Sequence, residues 1–126
     1  MSCRIILADD HKIVRDGLKA LIDKKADLEV VAEADSGRKA LQLSRKLKPD
    51  IVIMDVSMPD LNGMDATRLI VSEMPSIKIV ALSMHAEKQF VEGMLEAGVS
   101  GYLLKDSAFE ELSKAIRTVM TLSLIH

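Results

Sequence analysis

Five short apolar segments recur along the chain, and each of the four most apolar ones runs into a polar residue at its carboxyl end. Ile5-Ile6-Leu7-Ala8 ends in Asp9-Asp10, and Ile51-Val52-Ile53-Met54 ends in Asp55. Ile77 to Leu82 delivers Ser83, and Val99 to Leu104 delivers Lys105. Short apolar runs rich in branched side chains and bounded by breakers predict strands buried on both faces. Leu28 to Ala34 only partly alternates, which predicts an edge strand covered on one side.

Between these runs the period changes to three and four residues. Ile13, Val14, Gly17, Leu18, Leu21 and Ile22 outline one amphipathic helix; Ala40, Leu41, Ser44 and Leu47 outline another that ends before Pro49. Met64, Thr67, Ile70, Val71 and Met74 continue a third helix to Pro75, with Asn62 as its cap and Asp65 in the acid position of a capping box. Phe90, Val91, Met94 and Leu95 predict the inner face of a fourth, closed by Gly98 at C′. Ser107 to Glu110 has the capping-box pattern that opens a fifth, through Leu112, Ala115, Ile116 and Val119. Asp9 and Asp10 are placed to cap the first helix. Five alternations of strand and helix predict an α/β domain, doubly wound, with a five-stranded parallel sheet and helices on both faces. Right-handed crossovers favour the flavodoxin-like order 2-1-3-4-5. That order makes the first and third strands neighbours at the switch point, so Asp9, Asp10 and Asp55 converge in one crevice with Ser83 and Lys105 beside them.

Bulk composition narrows the classes of partner. A length of 126 residues suits one domain, 1–126, and a net charge of −2 gives no electrostatic reason for direct nucleic-acid or anionic-membrane binding. The single Cys3 excludes an internal disulfide and predicts an inert thiol in a reducing, cytoplasmic setting. No apolar run approaches the roughly 20 residues of a membrane span. Aromatics are limited to Phe90, Phe109 and Tyr102, too few for a site built on stacking.

Three carboxylates and one ammonium in one crevice sum to a formal −2, and a divalent cation relieves that repulsion. Hard oxygen donors, with no ligand spacing among His11, His85 and His126, favour Mg2+ over zinc. A carboxylate, a magnesium ion, a lysine and a hydroxyl about one point suit phosphoryl chemistry. An ionised aspartate is already the nucleophile, and its product is an aspartyl phosphate.

Asp9-Asp10, the Met54-Asp55 strand end with Met58-Pro59 and Gly63, Ser83, and Gly101-Tyr102-Leu103-Leu104-Lys105 resemble the receiver domain of two-component response regulators over essentially the whole chain. The resemblance implies Asp55 as phosphoacceptor, and Asp9, Asp10, Asp55 and the backbone carbonyl of Ser57 as Mg2+ ligands. It implies Ser83 and Lys105 as phosphate contacts, and Ser83 with Tyr102 as the switch pair. It also implies a sensor histidine kinase as phosphodonor, and catalysis limited to the domain's own phosphotransfer and dephosphorylation. Asp9-Asp10-His11 and Gly101 to Asp106 resemble more narrowly receivers that precede a helix-turn-helix domain. From this follow transcriptional output, DNA contact only through a domain outside these residues, and homodimerisation on phosphorylation. Many receivers follow the lysine with proline; Asp106 stands there instead and leaves the conformation of that peptide open.

His85 and Ser57 lie two past Ser83 and Asp55, where the family can tune dephosphorylation. The first helix has an apolar arc of about 180°, broader than a core stripe requires. Ile13 and Val14, with the Asp106-Ser107 loop, are therefore candidates for docking the kinase. Rival readings are a dehalogenase-like aspartyl-phosphate phosphatase, a flavodoxin-like binding module and an unphosphorylated interaction module. The first wants an acid where Ser57 stands, and the second a phosphate-cradling loop where Asp9-Asp10 stand.

Overall fold

The computed structural model describes residues 3–56, 58, 61–84 and 88–125, with backbone alone at 88, 90 and 121–125. In chain order the elements are β1 (Cys3–Ala8), α1 (Lys12–Asp23), β2 (Leu28–Ala34), α2 (Gly37–Leu47), β3 (Ile51–Asp55), α3 (Gly63–Glu73), β4 (Lys78–Ser83), α4 (Lys88–Ala97), β5 (Gly101–Leu104) and α5 (Ala108–Ile125). All strand pairs are parallel, in the order β2-β1-β3-β4-β5. The predicted topology is the observed one, with β2 and β5 at the edges.

Two apolar layers flank the sheet, because alternate residues of each buried strand point to opposite faces. Ile6, Val52, Met54, Ile79 and Ala81 pack with Ala40, Ile70 and Met94 of α2, α3 and α4. Ile5, Leu7, Ile53, Val80 and Leu82 pack with Leu18 and Ile22 of α1 and Leu112 and Ile116 of α5. Each strand thus needs apolar residues at consecutive positions, which explains the unbroken runs.

Local chemistry sets the helix limits. The Asn62 side chain accepts from the Asp65 N–H at 3.0 Å and starts α3. The Asp65 carboxylate accepts from Asn62 Nδ2 at 3.1 Å, a side-chain pair in place of the reciprocal capping-box bond. Gly98 has φ +105°, the conformation expected of a C′ glycine after α4. Lys48, at φ 47°, closes α2 just before Pro49.

Four expectations need correction. The cap position of α1 falls to His11 and carries no side-chain cap; Asp9 Oδ1 instead accepts the His11 N–H at 2.8 Å, a local turn that holds the carboxylate. A 3-10 turn over Lys105–Ser107 precedes α5, and the Ser107 hydroxyl is directed at the Leu104 carbonyl, 3.5 Å away. Leu95 is 57% exposed, whereas Met94 and Ala97 are buried, so the inner face of α4 is rotated away from Leu95. The fourth correction is His11 itself, which lies among the acids and is described with the site. The side chain of Phe90 lies outside the described residues. In β2 the register slips where Ile5 pairs with Val30 and Ile6 with Ala32, and this bulge at Val31 accounts for the imperfect alternation.

Cys3 is free and half-buried. Burial, with the nearby Asp50 and Asp27 carboxylates, pushes its thiol up to about 11, so it is protonated at neutral pH and a poor nucleophile.

Candidate functional site

Strand register brings the strand ends together. Ala8 pairs with Met54, so the next residues, Asp9 and Asp55, emerge side by side. Asp55 pairs with Leu82, so Ser83 is one step further along β4. Ser83 pairs with Leu104, so Lys105 follows on β5. A single edge therefore carries two acids, a hydroxyl and an ammonium from four strands.

The crevice is buried at its floor and open at its mouth. Asp55 is 0% exposed and Asp9 and Ser83 are 1% exposed, while Asp10 and His11 are exposed. Lys105 Nζ donates to Asp55 Oδ2 at 3.0 Å and lies 3.2 Å from Asp9 Oδ2. Burial works to depress the Lys105 ammonium. The hydrogen bond to Asp55 and the charges of Asp55 and Asp9 outweigh it and hold the group above the usual lysine range. The ammonium is a fixed charge beside the Asp55 carboxylate at any physiological pH.

His11 joins the cluster, contrary to the sequence expectation of no histidine there. Its Nδ1 lies 3.0 Å from Asp9 Oδ1 and 3.2 Å from Asp10 Oδ1. Carboxylate oxygens of Asp9, Asp10 and Asp55 and the His11 ring nitrogen all lie within 4.8 Å of one another. The sequence signal for His11 is its adjacency to Asp10, since the histidines show no ligand spacing among themselves.

The donor set fits a hard divalent cation. Three carboxylates and one ammonium leave an excess of negative charge, and the buried Asp9 Oδ2 has only a share of the Lys105 ammonium, which Asp55 holds more closely, among the described residues. Oxygen donors predominate, which suits Mg2+. Ser57, expected to add its carbonyl, and His85 lie outside the described residues.

The other predicted residues divide into two groups. Tyr102 is 44% exposed on the edge strand β5, with its ring outside the core. Ile13 is 86% exposed, Val14 packs partly on the α1 and α5 side of the core, Asp106 is exposed and Ser107 half-buried. The breadth of the α1 apolar arc has a partial explanation in Phe109 of α5, which lies over Gly17 so closely that a Cβ there would come within 2.6 Å of the ring. Ile13 has no such cover. The peptide joining Lys105 to Asp106 is trans.

Among the described residues, no helix is long and apolar enough to cross a membrane. A family model for the response regulator receiver domain matches residues 5–117. The transcriptional regulatory protein LnrK of Bacillus subtilis is 42% identical over 116 residues, 92% of this chain and 53% of that one. The response regulator GacA of Pseudomonas aeruginosa is 40% identical over 116 residues, 92% of this chain and 54% of that one. The chain spans about half the length of the curated relatives it matches. Among solved structures, a LuxR-family two-component response regulator from Aurantimonas sp. SI85-9A1 superposes with a TM-score of 0.90 at 40% identity, covering 96% of this chain and 86% of that one. The receiver domain of a NarL response regulator from Mycobacterium tuberculosis gives 0.86 at 29% identity, covering 97% and 96%. With the sheet order, the clustered acids and the lysine already in place, these matches establish that the chain belongs to the response regulator receiver-domain family.

Proposed function

We propose that the domain is a phosphorylation-controlled switch that accepts a phosphoryl group on Asp55. The observation that carries this reading is the buried Asp55 carboxylate 3.0 Å from the Lys105 ammonium, with Asp9 and Asp10 close by. An Asp55 oxygen attacks the phosphorus of a kinase phosphohistidine. An O–P bond forms, the P–N bond breaks, and the departing imidazole takes its proton from solvent. Lys105 pairs with an oxygen of the transferred group and Ser83 donates a hydrogen bond to another. Asp9, Asp10 and Asp55, with the Ser57 carbonyl that the family resemblance implies, would hold Mg2+, whose charge would stabilise the phosphoryl oxygens. Attack of water on the same phosphorus restores the carboxylate and releases inorganic phosphate. The domain is otherwise not an enzyme.

The new charge draws Ser83 and Lys105 toward the phosphoryl group, and the space left by Ser83 admits the exposed Tyr102 ring. The face formed by α4, β5 and α5 is thereby remodelled as a shift between two populations. In keeping with relatives named as transcriptional regulatory proteins, the output is transcription through a DNA-binding domain beyond these residues; homodimerisation on phosphorylation and a cytoplasmic setting complete the proposal. A net charge of −2 gives this domain no electrostatic reason to bind DNA directly.

Ile13, Val14, Asp106 and Ser107 form the kinase-docking surface. A bare isoleucine beside the acidic mouth is the observation behind this assignment. Ile13→Glu is expected to slow transfer from the kinase about tenfold, the effect of a buried-apolar contact of roughly 1.4 kcal/mol. Labelling by acetyl phosphate, which needs no docking, should be unchanged; equal kinase transfer by both proteins would remove Ile13 from the surface. The switch itself is tested by acetyl phosphate and Mg2+ with intact mass measurement. One added phosphoryl group, stable in acid, labile in base and absent from Asp55→Asn, is the expected result. Rapid turnover of unrelated phosphate esters would favour a phosphatase.

A further inference from the structure

Arg15 has no place in the chemistry above, yet it is one of the best-placed cations in the domain. It stands in the first turn of α1, its side chain is only 16% exposed, and it reaches in two directions. Nη1 donates to the backbone carbonyl of Asp9 at 2.6 Å, and Nε donates to Glu33 Oε1 of β2 at 3.2 Å. The Asp9 N–H donates to the Ala34 carbonyl at 3.0 Å. The backbone of the buried acid is thus gripped on both sides, through β2 and through Arg15. Its side chain is held separately, with Oδ1 on the His11 N–H and Oδ2 beside Lys105.

The β1–α1 connection is only three residues long, Asp9 to His11, and carries two of the acids. Its strand end is anchored by the sheet, whereas the Asp9 carbonyl lies past the last ladder pair, Ala8 with Ala34. Among the described hydrogen bonds, Arg15 alone supplies that carbonyl with a donor. A guanidinium is suited to this because its planar fork serves a carbonyl and a carboxylate together, which an ammonium on a flexible stem does less well. Glu33 fixes the fork, and the fork fixes the peptide that follows the buried acid.

We infer that Arg15 is a positioning residue for the cation pocket, holding the Asp9-Asp10 turn so that both carboxylates face Asp55. The inference rests on the phosphoacceptor reading. An ordinary ion pair stitching α1 to β2 is the alternative, and it makes different predictions. Groups that orient metal ligands from behind typically change metal affinity by about 10- to 100-fold when removed.

The test is titration calorimetry of the full chain with Mg2+ alone, on variants shown by circular dichroism to be folded at the working temperature. Arg15→Met should raise the Mg2+ dissociation constant about tenfold. Arg15→Lys should lie between it and the unaltered protein. Glu33→Gln, which leaves the bond to Asp9 in place, should change affinity less than Arg15→Met. Acetyl phosphate labelling of Arg15→Met should be slow at low Mg2+ and recover at saturating Mg2+. A dissociation constant within twofold of the unaltered protein overturns the inference, as does equal loss in Arg15→Met and Glu33→Gln. Labelling that stays slow at saturating Mg2+ also overturns it, because Arg15 would then act on the chemistry. If Arg15→Met does not fold, Arg15→Lys is judged instead: an unchanged dissociation constant overturns the inference and a rise of twofold or more supports it. Absence of Mg2+ binding by the unaltered protein would remove the phosphoacceptor reading itself, a separate outcome from any of these.

Discussion

Lys105→Met is expected to slow phosphorylation of Asp55 by about 100- to 1,000-fold, the usual loss when one preorganised charge is removed from a transferring group. The stem length is kept and only the ammonium goes, so the change isolates the charge 3.0 Å from Asp55 and 3.2 Å from Asp9. A second effect has the opposite dependence on metal. Without Lys105, the buried carboxylates at the ends of β1 and β3 face one another without the ammonium that β5 supplies. Removing one partner of a fully buried pair costs about 3–5 kcal/mol. This pocket opens to solvent beside Asp10, so a loss of about 2 kcal/mol in EDTA is expected, largely recovered on adding Mg2+. Thermal unfolding with and without Mg2+ checks the second effect and acetyl phosphate labelling the first. Identical melting curves in EDTA would show that Lys105 is not the counter-charge of the metal-free pocket.

The pH dependence follows from the direction of the Lys105 shift. Its value in the folded domain is raised above the ordinary 10.5. The stabilisation from the Asp55 and Asp9 contacts is therefore fully present below the unfolded lysine value and is lost as pH rises through the higher folded one. Between neutral pH and about pH 10 this contribution is constant.

Gly63→Ala is expected to destabilise the domain by about 3 kcal/mol, near the upper end for overpacking, or roughly 10–15 °C in Tm. Gly63 opens α3 against the end of β3. A Cβ there would run into the Asp55 carbonyl and come within 2.5 Å of Val56 Cα, both backbone and so unable to rotate away. The helix must retreat from the strand that carries the phosphoacceptor, and labelling of Asp55 should fall as well. Gly93 supplies the control. A Cβ at that position in α4 meets only Met64 side-chain atoms, at 3.7 and 3.8 Å. Gly93→Ala should raise stability by up to about 1 kcal/mol through helix propensity. Equal melting temperatures for Gly63→Ala and the unaltered domain would refute the close approach of α3 to Asp55.

The strands and the placement of the acids were legible because both follow from strong, short-range signals. A strand covered on both faces must be apolar at every position, and the polar residue that ends it marks the carboxyl edge. Parallel topology then leaves few ways to arrange Asp9, Asp55, Ser83 and Lys105. Less legible were features set by tertiary contact. Periodicity assigns Leu95 to the inner face of α4 because it neighbours Met94, but in the packed helix Met94 and Ala97 face inward and Leu95 is left exposed. The bulge at Val31 blurs the alternation that would have marked β2 more sharply. His11 has no ligand spacing to the other histidines, and its partners are the two acids just before it. Arg15 falls outside the apolar positions of α1 and belongs to no motif that would single it out. Its role depends on a backbone carbonyl, which carries no signature in side-chain pattern.

The central claim is that Asp55 is the residue that carries the phosphoryl group. Borohydride reduces an aspartyl phosphate to homoserine, which leaves a permanent mark on the acceptor. The domain is incubated with acetyl phosphate and Mg2+, reduced, digested and sequenced by mass spectrometry. Homoserine at position 55, lost when Mg2+ is withheld, is the predicted result. Homoserine at Asp9, Asp10 or elsewhere, or none in a folded domain with Mg2+ present, would contradict the assignment.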